Sequence, residues 1–295
     1  MSALSAITTW VINRGLGGAG QADLMGGYCE RLVEAGVPLW RAAIGIDTLH
    51  PLIDARGLWW VAGEGVTENV FLRGGLPEQD AEWRQSPWFR LIEDGEPRMR
   101  RRLANGEGTN EFPLLASLAA RGATDYLAQI VAFGERDALG GTPGLSTSWT
   151  TSNPGGFAGR DIHLLDETLP AFALAIKTTM GVETTRTLVT TYLGRDPAER
   201  ILRGEIERGK VNTESKVIWF SDLTGFTRIA DTLPREQLLE LLNAYADCLV
   251  EVVQHHGGEV LKFMGDGILA VFDGTDDGCQ RALTRQNQPV QRSMN

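Results

Sequence analysis

The C-terminal fold is decided by two stretches, VIWFSDLTGFT at residues 217–227 and EVLKFMGDGILAVF at residues 259–272. The first opens with an uninterrupted apolar run, which predicts a buried central strand that ends at Asp222. The second predicts two strands joined by a tight turn with Asp266 at its tip. If this hairpin packs beside the first strand, the two carboxylates converge, as a two-metal phosphoryl-transfer site requires. Either aspartate alone would be explained by a helix cap or a turn.

The residues after Asp222 predict a phosphate-binding turn. Leu-Thr-Gly-Phe-Thr places a glycine where the chain turns into a helix. The backbone N–H groups of Gly225, Phe226 and Thr227 would then point at phosphate oxygens from the helix start.

Residues 234–258 lie between the two stretches and predict an amphipathic helix that Gly257 and Gly258 end. The predicted buried stripe of this helix consists of Leu238, Leu241, Leu242, Tyr245, Leu249, Val252 and Val253.

FSDLTGFT and KFMGDG, at residues 220–227 and 262–267, resemble the metal-binding motifs of class III nucleotidyl cyclases position by position. The resemblance implies that Asp222 and Asp266 bind two Mg²⁺ or Mn²⁺ ions and that the Leu223 carbonyl adds a ligand. It also implies a ferredoxin-like domain in which the ribose 3′-hydroxyl of a nucleoside triphosphate attacks its own α-phosphate and expels pyrophosphate. Lys262 stands at the family's adenine-selecting position. A lysine can donate to adenine N1 but not to guanine N1–H, so we expect ATP as substrate and cyclic AMP as product.

The family pattern includes groups that this sequence does not show. An asparagine and an arginine four residues apart act on the family's transition state, whereas here Asn287 is followed by Gln291. We therefore predict no catalytic residue beyond the metal ligands, and a partial cyclase domain with an apolar edge at residues 268–272. Because two chains build each site in this family, we expect a homodimer or a full-length cyclase partner, and incomplete catalysis by this chain alone. The alternative is a non-catalytic sensor or dimerisation module with a degenerate metal- or nucleotide-binding remnant.

The N-terminal half predicts a small α+β domain. Helices are predicted at residues 22–35, in FPLLASLAARG and from Asp161 onwards, and strands in RAAIGIDTL, LWWVAG, YLAQIVAFG and STSWTT. With GIDTLHP, EFPLL, GATDYL and SWTTSNPGGF, this order resembles the GAF-like regulatory domain upstream of some bacterial cyclases. The resemblance covers residues 20–180 and implies a sensor pocket, while Trp59, Trp60 and Trp149 are better explained as core residues.

The predicted plan is α+β throughout. A GAF-like regulatory domain occupies residues 1–180, a helical connector residues 181–213, and a partial ferredoxin-like class III cyclase domain residues 214–295. The connector is expected to break near Gly194 and Pro197.

The charge of the chain limits the kinds of partner that it can bind. The net charge of −10 argues against nucleic acid or an anionic membrane surface. The short basic cluster, Arg98 with Arg100, Arg101 and Arg102, is predicted to be a solvated face.

Three widely spaced cysteines without a CxxC pair predict neither a disulfide framework nor a zinc site. Without a signal-like start or a long apolar run, we expect a cytoplasmic protein.

Overall fold

A computed structural model describes residues 2–48, 53–74, 77–134, 144–206 and 215–275. The chain divides into two compact units, Met1–Thr185 and Arg186–Asn295. Each combines helices with an antiparallel sheet, which confirms the predicted α+β class. None of the helices in the described ranges has the length and apolar character needed to cross a membrane. The predictions about Asn287 and Gln291 fall outside the described residues.

The first unit is built on a six-stranded sheet with the strand order β3-β2-β1-β6-β5-β4. Its elements, in chain order, are α1 Ala3–Leu16, α2 Gln21–Glu34, β1 Arg41–Asp47, β2 Ile53–Val61, β3 Gly65–Leu72, α3 Pro77–Arg84, α4 Pro87–Asp94, β4 Arg98–Arg101, α5 Pro113–Ala120, β5 Asp125–Ala132, β6 Gly144–Thr151 and α6 Gly159–Leu193. Strands were predicted at β1, β2, β5 and β6, whereas α1, β3 and β4 were not anticipated. Helix α6 continues past residue 180, and the chain breaks at Gly194, where φ is +84°.

The main core lies on the sheet face that α1, α2 and α6 cover. Tyr28 of α2 stacks on Phe172 of α6 with ring centroids 4.3 Å apart. Its hydroxyl lies 2.7 Å from that of Thr168, so the buried phenol is hydrogen-bonded. Trp149 is fully buried and donates to the side chain of Gln129, which confirms its predicted core position.

A smaller core lies around β5, with Leu91 of α4 and Leu115 of α5. Trp88 of α4 lies against β1 at Gly45, where an added Cβ atom would be 3.0 Å from the indole ring. The Trp88 indole N–H donates to the carbonyl of Thr147 at 2.9 Å. The Trp88 ring therefore packs on β1 at a glycine, where no strand side chain is in its way.

The prediction that the basic cluster is a solvated face is confirmed for Arg98 and Arg102, which are exposed, and wrong for Arg100 and Arg101, which are half-buried. Arg100 pairs with the fully buried carboxylate of Asp125 and also donates to the Phe157 carbonyl at 2.7 Å. Arg101 pairs with Glu111 at 2.8 Å. A charge run in sequence does not reveal acidic partners from other parts of the chain; here Asp125 joins β4 to β5, and Glu111 joins it to the turn before α5.

The second unit has a three-stranded antiparallel sheet with the order β7-β9-β8. Its elements in the described residues are α7 Arg195–Leu202, β7 Lys216–Ser221, α8 Phe226–Thr232, α9 Arg235–His255, β8 Glu259–Met264 and β9 Gly267–Asp273. The predicted hairpin is present as β8 and β9. Val253 of α9 packs with Ala270 and Phe272 of β9, so the helix covers one sheet face. The other members of the predicted stripe are half-buried.

Two strand predictions in this unit are wrong. Within residues 215–275, strand β7 lies at an edge of the sheet instead of its centre, and Ile218 and Phe220 are 73% and 56% exposed. Strand β9 was predicted as an exposed apolar edge and is the central strand, with Ile268, Ala270 and Phe272 buried. An apolar run shows that a strand avoids water but does not show how many neighbours it has. In the described residues, helix α9 covers only one face of this sheet.

Candidate metal centre

The two predicted metal ligands lie at one corner of the second unit. Asp222 directly follows β7, and Asp266 is in the turn between β8 and β9. Because Ser221 pairs with Ile268, the end of β7 meets the start of β9. The backbone N–H of Leu223 donates to the Asp266 carboxylate at 3.3 Å. The fold thus brings together residues that are 44 positions apart.

The turn at Asp266 depends on glycine. Gly265 has φ of +68°, a left-handed conformation that other residues rarely adopt. It reverses the chain between two apolar strands and leaves the aspartate at the tip.

The contact with Asp266 changes the protonation of Asp222. The pKa of Asp222 is raised, first because its side chain is hydrogen-bonded to Asp266, and further by desolvation and by the negative charge of Asp266. The backbone hydrogen bond with Leu223 acts in the opposite direction. Asp222 is exposed, so a cation from solvent can reach it. A divalent cation would replace the proton that such a pair shares and remove the repulsion.

Leu223 is engaged through both of its backbone groups. Its N–H donates to Asp266, and its carbonyl accepts from the N–H of Phe226 at 3.1 Å. A carbonyl oxygen has a second lone pair, so the carbonyl can still bind a cation. The N–H group of Phe226, which is expected to bind phosphate, thus has a partner inside the turn, and its phosphate contact stays a prediction.

Gly225 and Thr227 flank this contact. Gly225 has φ of +80° and precedes α8, and Thr227 is an exposed residue in the first turn of that helix. The geometry is therefore a glycine turn into a helix, as predicted, but the phosphate contacts of these two residues stay a prediction.

Lys262 lies on β8 opposite Leu269, which in turn lies opposite Phe220 of β7. Its side chain is exposed on the sheet face that α9 does not cover. Among the described residues, no hydrogen bond joins Lys262 to Asp222 or Asp266. Its expected contact with a nucleotide base stays a prediction.

One supporting contact was missed from sequence. The hydroxyls of Ser221 and Tyr245 lie 2.8 Å apart and join the end of β7 to α9. Tyr245 was assigned only to the apolar stripe, since nothing in the sequence shows where its hydroxyl points. The contact holds the strand end from which Asp222 projects.

The side-chain donor set is small. In the described part of the chain, no three His, Cys, Asp or Glu side chains come together as a metal cluster. Two carboxylates and a carbonyl are hard oxygen donors, and Mg²⁺ commonly binds through one or two carboxylates with waters and substrate phosphates. The donors therefore fit Mg²⁺ or Mn²⁺ better than Zn²⁺.

Comparison with known proteins gives partial matches. No protein-family model matches the chain. An adenylate cyclase of Anabaena cylindrica is 31% identical over 97 residues, which cover 30% of this chain and 19% of that protein. Adenylate cyclase type 10 of Rattus norvegicus is 38% identical over 74 residues, which cover 22% of this chain and 5% of that protein.

This chain resembles adenylate cyclases. The resemblance predicted from the two motifs is confirmed for part of the chain. The match spans less than a fifth of the length of either relative, so the activities of those whole proteins are proposals for this one.

Two solved structures show weak similarity. A bacterial light-regulated adenylyl cyclase aligns with a TM-score of 0.29 and 18% identity, over 48% of this chain and 51% of that one. The phycoerythrobilin-bound GAF domain of a cyanobacterial phytochrome aligns with a TM-score of 0.38 and 11% identity, over 61% of this chain and 97% of that one.

Proposed function

We propose that the second unit provides the metal-binding half of a class III adenylate cyclase site, which converts ATP to cyclic AMP and pyrophosphate. The observation that supports this most is the contact between Asp222 and Asp266, which raises the pKa of Asp222. Two carboxyl groups in contact, Asp222 exposed and Asp266 half-buried, repel each other as a structural turn and are favourable as cation ligands. The partial similarity to adenylate cyclases points to the same chemistry.

In this proposal Asp222, Asp266 and the Leu223 carbonyl hold two Mg²⁺ or Mn²⁺ ions. When bound, the ions lower the pKa of the ribose 3′-hydroxyl and neutralise charge that develops at the α-phosphate. The Leu223 N–H orients the Asp266 carboxylate, and the bond between Ser221 and Tyr245 fixes the end of β7.

The remaining predicted residues act on the nucleotide. We assign phosphate contacts to the Gly225 and Thr227 amides, and the adenine N1 contact to Lys262. The residues that stabilise the pentavalent phosphate come from a partner chain, either a second copy or a full-length cyclase. The first unit is the regulatory domain.

The second candidate is a module that binds metal or nucleotide without turnover. The engagement of the Phe226 N–H with Leu223 favours it, because one expected phosphate donor is already used.

Nucleotide binding tests the proposed site directly. We expect the full chain to bind ATP when Mn²⁺ is present and to lose this binding in Asp222→Asn and Asp266→Asn, measured by titration calorimetry. Asp247→Asn, which removes an exposed carboxylate of α9, is the matched control and should bind like the unmodified chain. Lys262→Glu should shift preference from ATP to GTP, since a carboxylate accepts from guanine N1–H. Equal ATP binding by both site variants would contradict the assignment.

A further inference from the structure

A row of polar side chains crosses the sheet of the first unit. Arg41 of β1 pairs with Thr150 of β6, which pairs with Tyr126 of β5. Directly opposed residues in antiparallel strands point to the same face. Their neighbours Ala42 and Trp149 belong to the core under α1, α2 and α6, so the row lies on the opposite face.

Two polar atoms of this row are buried without a partner. They are Nη1 of Arg41 and Oγ1 of Thr150, and neither has a hydrogen bond within the described part of the chain. Thr150 is fully buried. Buried donors of this kind are rare in native proteins, because leaving them unsatisfied costs free energy, most of all for a charged group.

The third member of the row stays a hydroxyl donor. Burial raises the pKa of Tyr126 to about 12, although a hydrogen bond with Ser148 and the charge of Arg41 act in the opposite direction. At neutral pH the phenol therefore keeps its proton.

The surroundings of Arg41 are positive. No carboxylate pairs with its guanidinium among the described residues, in contrast to Arg100 and Arg101, which pair with Asp125 and Glu111. Burial lowers the pKa of Arg41, Tyr126 partly offsets this, and the nearby Arg121 lowers it further. A guanidinium nevertheless stays charged in proteins.

We propose that Arg41, Thr150 and Tyr126 bind an oxyanion, the phosphate or carboxylate group of a small ligand. An oxyanion accepts hydrogen bonds from a guanidinium with matched geometry and from hydroxyl groups. It would satisfy both buried donors and neutralise the unpaired charge in one step. The site lies in the first unit and is independent of the metal centre.

The test is titration calorimetry of the full chain with inorganic phosphate and, separately, with acetate. Both titrations use constant ionic strength, an oxyanion-free buffer and no divalent metal, so that the metal centre does not contribute. Arg41→Gln should weaken binding of the preferred anion by about tenfold or more, the value for one charge-assisted hydrogen bond. Arg186→Gln, which removes an exposed charge of α6, should not change it. The preferred anion identifies the ligand group.

A pair of threonine variants tests the proposal even if Arg41→Gln fails to fold. Thr147 is also fully buried, but its hydroxyl donates to the Gln129 carbonyl at 3.1 Å. Thr147→Val should lower the melting temperature by about 2–4 °C and keep anion binding. Thr150→Val should leave the melting temperature unchanged and weaken anion binding. The proposal is overturned if the unmodified chain binds neither anion, if Arg41→Gln binds as tightly, or if Thr150→Val is destabilised like Thr147→Val.

Discussion

At the scale of single residues, the raised pKa of Asp222 links metal binding to pH. Below its pKa the carboxyl carries a proton, which a cation must displace, so affinity rises as pH rises through that value. The ordinary pKa of aspartate is about 4. Because Asp266 raises the pKa of Asp222, the increase in metal affinity occurs above that pH.

We therefore expect Mn²⁺ affinity, measured by electron paramagnetic resonance, to increase from about pH 4 towards neutral pH and then level off. Asp247→Asn should follow the same curve, and Asp222→Asn should show weak binding at every pH. An affinity that is already constant from the lowest pH would mean that the two carboxyl groups do not share a proton.

Asp125 is a second residue with a large predicted effect, this time on stability. It is fully buried, pairs with Arg100 and accepts a hydrogen bond from the Phe157 N–H at 3.0 Å. Asp125→Ala leaves the Phe157 N–H without its acceptor and leaves Arg100 without its carboxylate partner, with only the Phe157 carbonyl to accept from it. Because Arg100 keeps some exposure, we expect the lower end of the range for broken buried pairs, about 3 kcal/mol less free energy of unfolding.

Urea unfolding of the full chain, followed by tryptophan fluorescence, measures this loss. The control is Asp94→Ala, which breaks an exposed pair with Arg90 and should cost about 0–1 kcal/mol. Similar losses for the two variants would show that Asp125 is not the anchor of β4.

The approach of Asp222 to Asp266 could be predicted from the sequence, whereas the pair between Arg100 and Asp125 could not. Asp222 and Asp266 follow apolar strands within a recognisable motif. Arg100 and Asp125 are 25 residues apart, and no local pattern joins them. The hydrogen bond between the Phe226 N–H and the Leu223 carbonyl could not be predicted, because a hydrogen bond inside a turn depends on backbone geometry.

At the scale of secondary-structure elements, two glycines, one inside α6 and one in α1 against α6, differ in the space around them. Gly181 lies inside α6, and an added Cβ atom would have no neighbour within 4 Å. Gly15 of α1 is buried, and its added Cβ atom would lie 3.0 Å from the Cβ of Ala175 in α6. Close approach of the two helices therefore requires glycine at one position and not at the other.

We predict that Gly181→Ala raises the free energy of unfolding by about 0.5–1 kcal/mol, because alanine loses less backbone entropy in a helix. Gly15→Ala should lower it, since α1 must move away from α6. Chemical denaturation of both variants measures the difference. Stabilisation by both would mean that α1 does not pack on α6 at this point.

Elements with strong apolar patterns were predicted and weak ones were missed. Strands β1 and β5 carry buried apolar residues along their length, and β6 is buried as well, with Leu145 and Trp149 among threonine and serine residues. Strand β3 is mostly exposed and contains Thr67, Glu68 and Asn69, and β4 has four residues, three of them arginine. Their strand conformation comes from pairing with β2 and β5, which a local pattern does not reveal.

At the scale of the whole molecule, the α+β class could be read from the sequence, but the strand order of the second unit could not. The apolar run of residues 217–220 is as hydrophobic as a central strand, yet β9 takes that place because the β8–β9 hairpin brings it between β7 and β8. The number of strands that pair with a given strand is a property of the assembled sheet.

The most direct test is complementation of a cyclase site by two defective chains. This chain is mixed with a class III cyclase domain whose two metal-binding aspartates are replaced and whose asparagine and arginine are intact. We expect Mn²⁺-dependent formation of cyclic AMP in the mixture, retained with Asp247→Asn and lost with Asp222→Ala or Asp266→Ala. Absence of cyclic AMP, with heterodimer formation verified by crosslinking, would contradict the proposal that this chain provides the metal-binding half of the site.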